Sequence, residues 1–420
     1  MADWKALLDD AIIAGGDIGP EQLQSIPARR GVALLATADD RPILLLPAAD
    51  MRARVRNRLR DPESDEVGAR IADLLSITRR VYWTQSTSHF QTDLDYFELA
   101  RTLWPKSFAE LVSTKAPVFV SVDLQEDYPA FRRTRDVVGH PGQLVGPFPT
   151  GKDADRFIQG LEDTFDLCRD LRHLSQAPHG QRCPYAQMGR CLCPCDGSVS
   201  AEEYSSVVQR AARFAAGERH QRRDELQAAM KAASAALEFE KAAAIKKRLQ
   251  RLDEFDSPAY QHVAPIEQFE MLILQPTGRI NEARAFLFRA GRIPAVAAVA
   301  FPPDLPQLTD LLAAMESIHP AAMPPEPPRV TAIRMGVVSK YLYSAPERRG
   351  VMIRRREGMS AEELAEILQQ HAELLALRRR ALRGGGEQSG ESANPAGSSG
   401  VREGEGNDGA SSGRIPDGAQ

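Results

Sequence analysis

Every cysteine of this chain lies between Cys168 and Cys195, in the segment FDLCRDLRHLSQAPHGQRCPYAQMGRCLCPCDG. Five thiols confined to one short stretch of a long chain constrain the middle of the molecule more than any other feature. The spacing C-x14-C-x7-C-x3-C (Cys168, Cys183, Cys191, Cys195), with Cys193 left over, reads as a ligand cage. Thiolates suit soft metals, and four of them complete either a tetrahedral zinc or a cuboidal iron–sulfur cluster. The competing readings are a local disulfide knot or reduced cysteines close by chance. An odd count and the absence of a secretory pattern at Met1 argue against disulfides.

The opening MADWKALLDDAIIAGG has acidic residues where an export signal would carry a basic region and an apolar core. The most apolar run, IPAVAAVAFPP, is short and broken by prolines, so no membrane span is expected. A soluble, cytoplasmic chain follows, and reduced thiols in that compartment favour metal. The formal net charge of −4 over 420 residues gives no compositional sign of a polyanion partner.

The expected fold class is α+β and multidomain, with the parts in a definite order. An N-terminal helical segment is expected over 1–28 and an α/β domain over 29–110. In the latter, GVALLATADDRPILLL forms a hairpin around an ADD turn, MRARVRNRL starts a basic helix, and DLDYFELARTLWP is a helix stopped by Pro105. A linker region over 111–165 holds the strand APVFVSVDL and the helix DADRFIQGLEDTFDL. The cysteine region spans 166–200. Ser200 with Glu203 then forms a capping box, and 201–256 is helical, with LEFEKAA as a hairpin corner. A C-terminal α/β region over 265–383 has three strands, a helix, a Pro-rich link and strand (PPEPPRVTAIRMGVVSKYLYS), and a last helix begun by Ser360 and Glu363. From Gly384 to Gln420 the chain is nearly devoid of apolar residues and is expected to be disordered.

These pieces together resemble the UvrC family, the incision subunits of bacterial nucleotide excision repair. VFVSVDLQEDYPAFRRTRD resembles the family's strand and acidic–arginine loop, LVGPFPTGKDADRF its "YFGPY" turn, and CPYAQMGRCLCPCDGSVSAEEY its cysteine region and following helix. LQAAMKAASAALEFEKAAAIKKRLQRL is similar to the UVR hairpin shared with UvrB, and FEMLILQPTGRINEARAFLFRAGRI to the strands that follow it. The resemblance implies a [4Fe-4S] cluster on Cys168, Cys183, Cys191 and Cys195, with zinc as the alternative. It also implies a UvrB-like partner for Leu226, Met230, Leu237, Phe239 and Ile245, with Glu238 and Glu240 on the rim.

The resemblance further implies a GIY-YIG nuclease domain, and here the residues depart from the family. Ala33 and Leu45 stand where two tyrosines are expected, Pro47 replaces a glycine and Ala48 a lysine. Tyr96 occupies the position of the metal-binding glutamate, with Asp95 and Glu98 as neighbouring carboxylates, while Arg52 and Arg54 match the motif's basic helix. Phosphodiester cleavage of this kind needs a base, a cation and a metal-holding carboxylate. The expectation is a retained fold without nuclease activity. Arg52, Arg54, Arg56 and Arg58, and a second cluster of Arg348, Arg349, Arg354, Arg355 and Arg356, are candidate DNA contacts or solvated surfaces. The family's second nuclease and its paired helix-hairpin-helix motifs have no match after Phe301. The leading reading is a non-catalytic, UvrB- and DNA-interacting scaffold. The alternatives are an active repair endonuclease with relocated groups, or a metal-binding UVR-motif adaptor outside repair.

Overall fold

The structure is a computed structural model that describes residues 4–14, 18–59, 74–277, 279, 282–300, 302–319 and 322–371. The tail expected to be disordered, and the end of the last expected helix, lie outside these residues. Helices of eight or more residues among those described are α1 (Met51–Arg58), α2 (His89–Leu103), α3 (Gly151–Phe165), α4 (Ala201–Ala215), α5 (Arg219–Ala235), α6 (Phe239–Leu252), α7 (Leu305–Ser317), α8 (Pro328–Leu342) and α9 (Ala361–Gln370). No described helix is long and apolar enough to cross a membrane.

Three antiparallel four-stranded sheets organise the chain. The first joins β1 (Asp10–Ile13), β2 (Gly31–Ala36), β3 (Pro42–Ala48) and β4 (Arg80–Gln85) in the order β1-β4-β2-β3. The second holds β5 (Val118–Val122), β6 (Arg132–Thr134), β7 (Gln143–Phe148) and β8 (Ala264–Pro265) in the order β6-β5-β7-β8. The third holds β9 (Met271–Pro276), β10 (Glu282–Arg289), β11 (Arg292–Ala300) and β12 (Val351–Arg354) in the order β11-β10-β9-β12.

Two local expectations are corrected. The opening segment contributes a short 3-10 turn and the edge strand β1 before any α-helical turn. The run RVTAIRMGVVSKYL, expected as a strand, is helix α8. Its β-branched residues suggested a strand, but Val330, Ile333, Val337, Val338 and Tyr341 recur at three- and four-residue steps and are all buried. Pro328 in the first turn suits a helix start, and tertiary burial of that stripe outweighs the modest β preference of Val and Ile.

Helix α2 lies between the first and third sheets. One core gathers Leu34, Leu45 and Tyr82 from the first sheet, Phe90 and Phe97 from α2, Ile273 and Phe286 from the third sheet, and Tyr341 from α8. The rings of Phe90 and Phe286 meet edge-on with centroids 5.3 Å apart. The segments on either side of the cysteine region are therefore packed together. At the centre of this contact Arg334, 3% exposed, bonds Glu98 at 2.8 Å and Glu326 at 2.8 and 3.0 Å. A second core packs α3 and α4 on the second sheet and takes in Cys168 and Leu226. A third packs α7 and α9 on the outer face of the third sheet.

Candidate functional site: the cysteine segment, the helical hairpin and the nuclease-like sheet

The cysteine segment leaves α3 through Asp166, whose left-handed backbone (φ 54°) turns the chain away from the helix. Tyr204, held by α4 behind its Ser200–Glu203 capping box, receives the Cys168 N–H at 3.3 Å. Four thiols are nearly sealed from solvent: Cys168, Cys183, Cys193 and Cys195 are 3, 3, 6 and 0% exposed. The sulfurs associate in pairs. Cys168 and Cys191 share a hydrogen bond that raises the Cys168 thiol and lowers the Cys191 thiol from the ordinary range. Cys193 and Cys195 place their sulfurs 3.9 Å apart. Cys183 starts the short turn Pro184–Gln187.

In kind, this donor set fits a soft metal or a cluster, because buried thiols without disulfide partners are soft-metal ligands. In arrangement they are pairs: among the described residues no group of three or more His, Cys, Asp or Glu side chains stands in a metal-holding arrangement. The extra cysteine, Cys193, brings its sulfur to 3.9 Å from that of Cys195. Its left-handed backbone (φ 62°) brings it there, a feature with no signal in the spacing alone.

The expected hairpin is formed by α5 and α6, reversed at Leu237 (φ 62°). Its base is bound to the rest of the molecule. Arg222 donates to the Thr164 carbonyl at 2.9 Å, Arg248 pairs with Asp166 at 3.1 Å, and Arg251 lies 3.7 Å from Asp163. Leu226, expected to face a partner, is buried in the second core and is removed from that role. Ile245 packs half-buried on the same core, and Met230 is half-buried. Leu237 and Phe239, 72 and 65% exposed, form the apolar tip. Glu238 and Glu240 are exposed beside them, Glu238 paired with Lys241 at 2.9 Å.

On the first sheet the positions expected of a nuclease do not converge. Ala33 opposes Leu46, and Leu45 opposes Leu34, so Ala33 and Leu45 point to opposite faces. Ala33 is buried toward α1 and Leu45 toward α2. Shifting the alignment by one residue places the equally buried Leu46 at the second position. Arg52 is committed to backbone, with Nε donating to the Ile26 carbonyl at 2.7 Å and a terminal nitrogen to Gln24 at 2.8 Å. This corrects its reading as a DNA contact. Tyr96 donates to the Leu111 carbonyl at 3.3 Å. Glu98 is bound to Arg334 and Arg101. Burial pushes the Asp95 carboxyl up to about 7, and its Oδ2 has no hydrogen-bond partner. Neither carboxylate is arranged as a substitute metal ligand.

Within the arginine cluster after Tyr343, Arg349, Arg354 and Arg355 are engaged internally, while Arg348 and Arg356 are exposed. Arg354 is largely buried and donates to the His262 carbonyl, and Arg349 donates to Leu342 at 3.3 Å. Arg355 pairs with Glu270 and Glu316 at 3.2 and 2.8 Å, and Arg356 with Glu363 at 3.4 Å. Arg354 and Arg355 are thereby corrected as DNA contacts. Arg54, Arg56 and Arg58 remain exposed on α1.

Residues 118–214, which hold the cysteine segment with its flanking sheet and helices, match the family model for the middle domain of UvrC/Cho excinucleases. Proteins named UvrABC system protein C are similar over a longer stretch. The one from Hyphomonas neptunium is 26% identical over 66% of this chain and 45% of its own length. That from Moorella thermoacetica is 26% identical over 65% and 44%, and that from Desulforudis audaxviator 29% over 56% and 37%. The chain spans less than half the length of these relatives. No solved structure matches it. Residues 118–214 are thus similar to the middle domain of UvrC/Cho excinucleases, and about two thirds of the chain is similar to proteins named UvrABC system protein C.

Proposed function

We propose that this protein is a non-catalytic scaffold of bacterial nucleotide excision repair, acting in the cytoplasm on DNA and a UvrB-like partner. The observation that carries the reading is the state of the nuclease-like sheet. Apolar Ala33 and Leu45 stand where phenols would act, on opposite faces, and the Arg52 guanidinium donates to two backbone carbonyls. Removing one group that stabilises a developing charge typically costs about 100- to 1,000-fold in rate. Losses that fall on the same transition state leave little of the reaction.

Under this reading the hairpin tip, Leu237 and Phe239, enters an apolar groove on the partner, as amphipathic helices do. Cys168, Cys183, Cys191 and Cys195 would hold a [4Fe-4S] cluster, or zinc in its place. Either would supply a rigid cross-link between α3 and α4 rather than a reactive centre. Closing such a site requires the Cys168–Cys191 pair to draw in Cys183 and Cys195.

Two measurements on anaerobically purified protein test the proposal. The first is nicking of damaged duplex with Mg²⁺ or Mn²⁺, and the second is capture by purified UvrB-like protein. Capture without nicking is the expected result. Metal-dependent nicking would overturn the scaffold in favour of a relocated nuclease. Absence of capture, with zinc and no sulfide in the protein, would favour an adaptor outside repair.

A further inference from the structure

With Arg349, Arg354 and Arg355 engaged internally, exposed cations are also found along helix α8. Two adjoining hollows of about 540 and 390 Å³ run along helix α8 and share the lining residues Thr114, Lys115, Ala116 and Arg135. Arg329 lines the first hollow at the start of α8, and Lys340 the second near its end. Ser113 and Ser339 add hydroxyls to the second hollow.

The charge balance separates this groove from those arginines. Among the described residues Asp136 is the one acidic residue lining either hollow. Lys340 is matched by Asp93 at 2.6 Å, and Arg135 bonds the Ala116 carbonyl. Among the described residues Lys115 and Arg329 enter no ion pair, and both are exposed. The loop that carries Lys115 is packed closely on helix α8. A Cβ on Gly336 of α8 would sit 2.0 Å from the Lys115 carbonyl oxygen, so the loop backbone lies directly on the helix and holds Lys115 in place.

We propose that this groove binds a nucleic-acid strand through its phosphates, with Lys115 and Arg329 as the contacts. Separated cations beside hydroxyls in an open, elongated hollow suit a repeating anion, and such contacts position a strand without reading its bases. The inference rests on the reading that the protein acts on DNA, and it assigns that contact to a loop and a helix outside the nuclease-like sheet.

The test is fluorescence anisotropy of a labelled oligonucleotide, single-stranded and duplex, over a range of salt. Its variants are Lys115→Ala with Arg329→Ala, the two singles of that pair, and a comparison pair Arg54→Ala with Arg56→Ala on α1. All these side chains are exposed, and a circular-dichroism melt verifies that each variant is folded. The groove double variant should bind at least about tenfold more weakly. Its slope of log affinity against log salt should fall by about 0.9 per lost contact on duplex, or about 0.7 on a single strand. The groove assignment is overturned if the groove variants bind like the parent while the α1 pair loses affinity, an outcome that leaves the DNA reading standing. A parent protein that binds neither oligonucleotide at low salt overturns both. Equal affinity for inorganic tripolyphosphate would overturn the strand in favour of a small-polyanion site.

Discussion

The Asp166 carboxylate holds the Arg248 guanidinium at 3.1 Å while the Asp166 carbonyl accepts the Leu192 N–H at 2.9 Å. One residue at the end of α3 thus ties the second helix of the hairpin to the backbone of the cysteine segment. Arg248 is 37% and Asp166 25% exposed, so the pair itself contributes only about 0–1 kcal/mol. Its effect is on geometry: it fixes the angle at which the hairpin leaves the core.

Arg248→Ala should therefore leave the melting temperature nearly unchanged and speed amide exchange across Phe239–Leu252. Hydrogen–deuterium exchange checks this, and unchanged protection of α6 would show that the pair does not hold the hairpin.

Arg334 is the opposite case. Its guanidinium is buried between Glu98 and Glu326, and removing it leaves Glu98 with Arg101 and Glu326 with the more distant Arg292 and Arg101, at 3.4 and 3.7 Å. Arg334→Met should destabilise the protein by about 3–5 kcal/mol, as breaking buried pairs does. Adding Glu326→Gln should restore part of the loss, because one partly buried and less well compensated charge is then gone. Urea unfolding of the single and double variants measures both.

Burial pushes the Asp95 carboxyl up to about 7. In the unfolded chain it ionises in the ordinary carboxylate range, so between that range and about 7 the folded state holds a proton that the unfolded state has released. The resulting stability is fully present at low pH and is lost as pH rises through about 7. Asp95→Asn should flatten this fall, by no more than about 1.4 kcal/mol per pH unit. Glu162, pushed up to about 7 by burial as well, leaves a residual slope. Denaturation midpoints across neutral pH test the sign, and an unchanged slope in the variant would rule Asp95 out as its source.

If Cys168, Cys183, Cys191 and Cys195 hold a cluster or zinc, serine at Cys168 or Cys195 should sharply lower bound metal and Cys193→Ser should not. Iron, sulfide and zinc analysis with the visible spectrum decides it. Metal lost on Cys193→Ser and kept on Cys183→Ser would exchange their roles. The 3.9 Å approach of the Cys193 and Cys195 sulfurs makes that outcome physically meaningful.

The two ends of the hairpin should separate in the same way. Leu226→Ala opens a cavity in the second core and should cost about 2–5 kcal/mol. Phe239→Ala, at the exposed tip, should stay within about 0.5 kcal/mol in stability. It should also weaken capture of a UvrB-like partner, and a titration on immobilised partner would reveal an unchanged affinity.

The amino-acid sequence by itself determined the features set by near neighbours. The Ser200–Glu203 capping box, the β2–β3 hairpin, the reversal near Leu237 and the gathering of thiols are all legible because their causes lie within a few residues. The tertiary structure decided the rest. RVTAIRMGVVSKYL is helical because both sides of the cysteine segment close over its buried stripe. Ala33 and Leu45 are separated by the pleat, whose two faces depend on strand register. The arginines near Arg355 read as a basic cluster until Glu270, 85 positions earlier, is brought against them. A charge is fixed by its own residue type, whereas its neutralisation depends on partners that only the folded chain brings within reach.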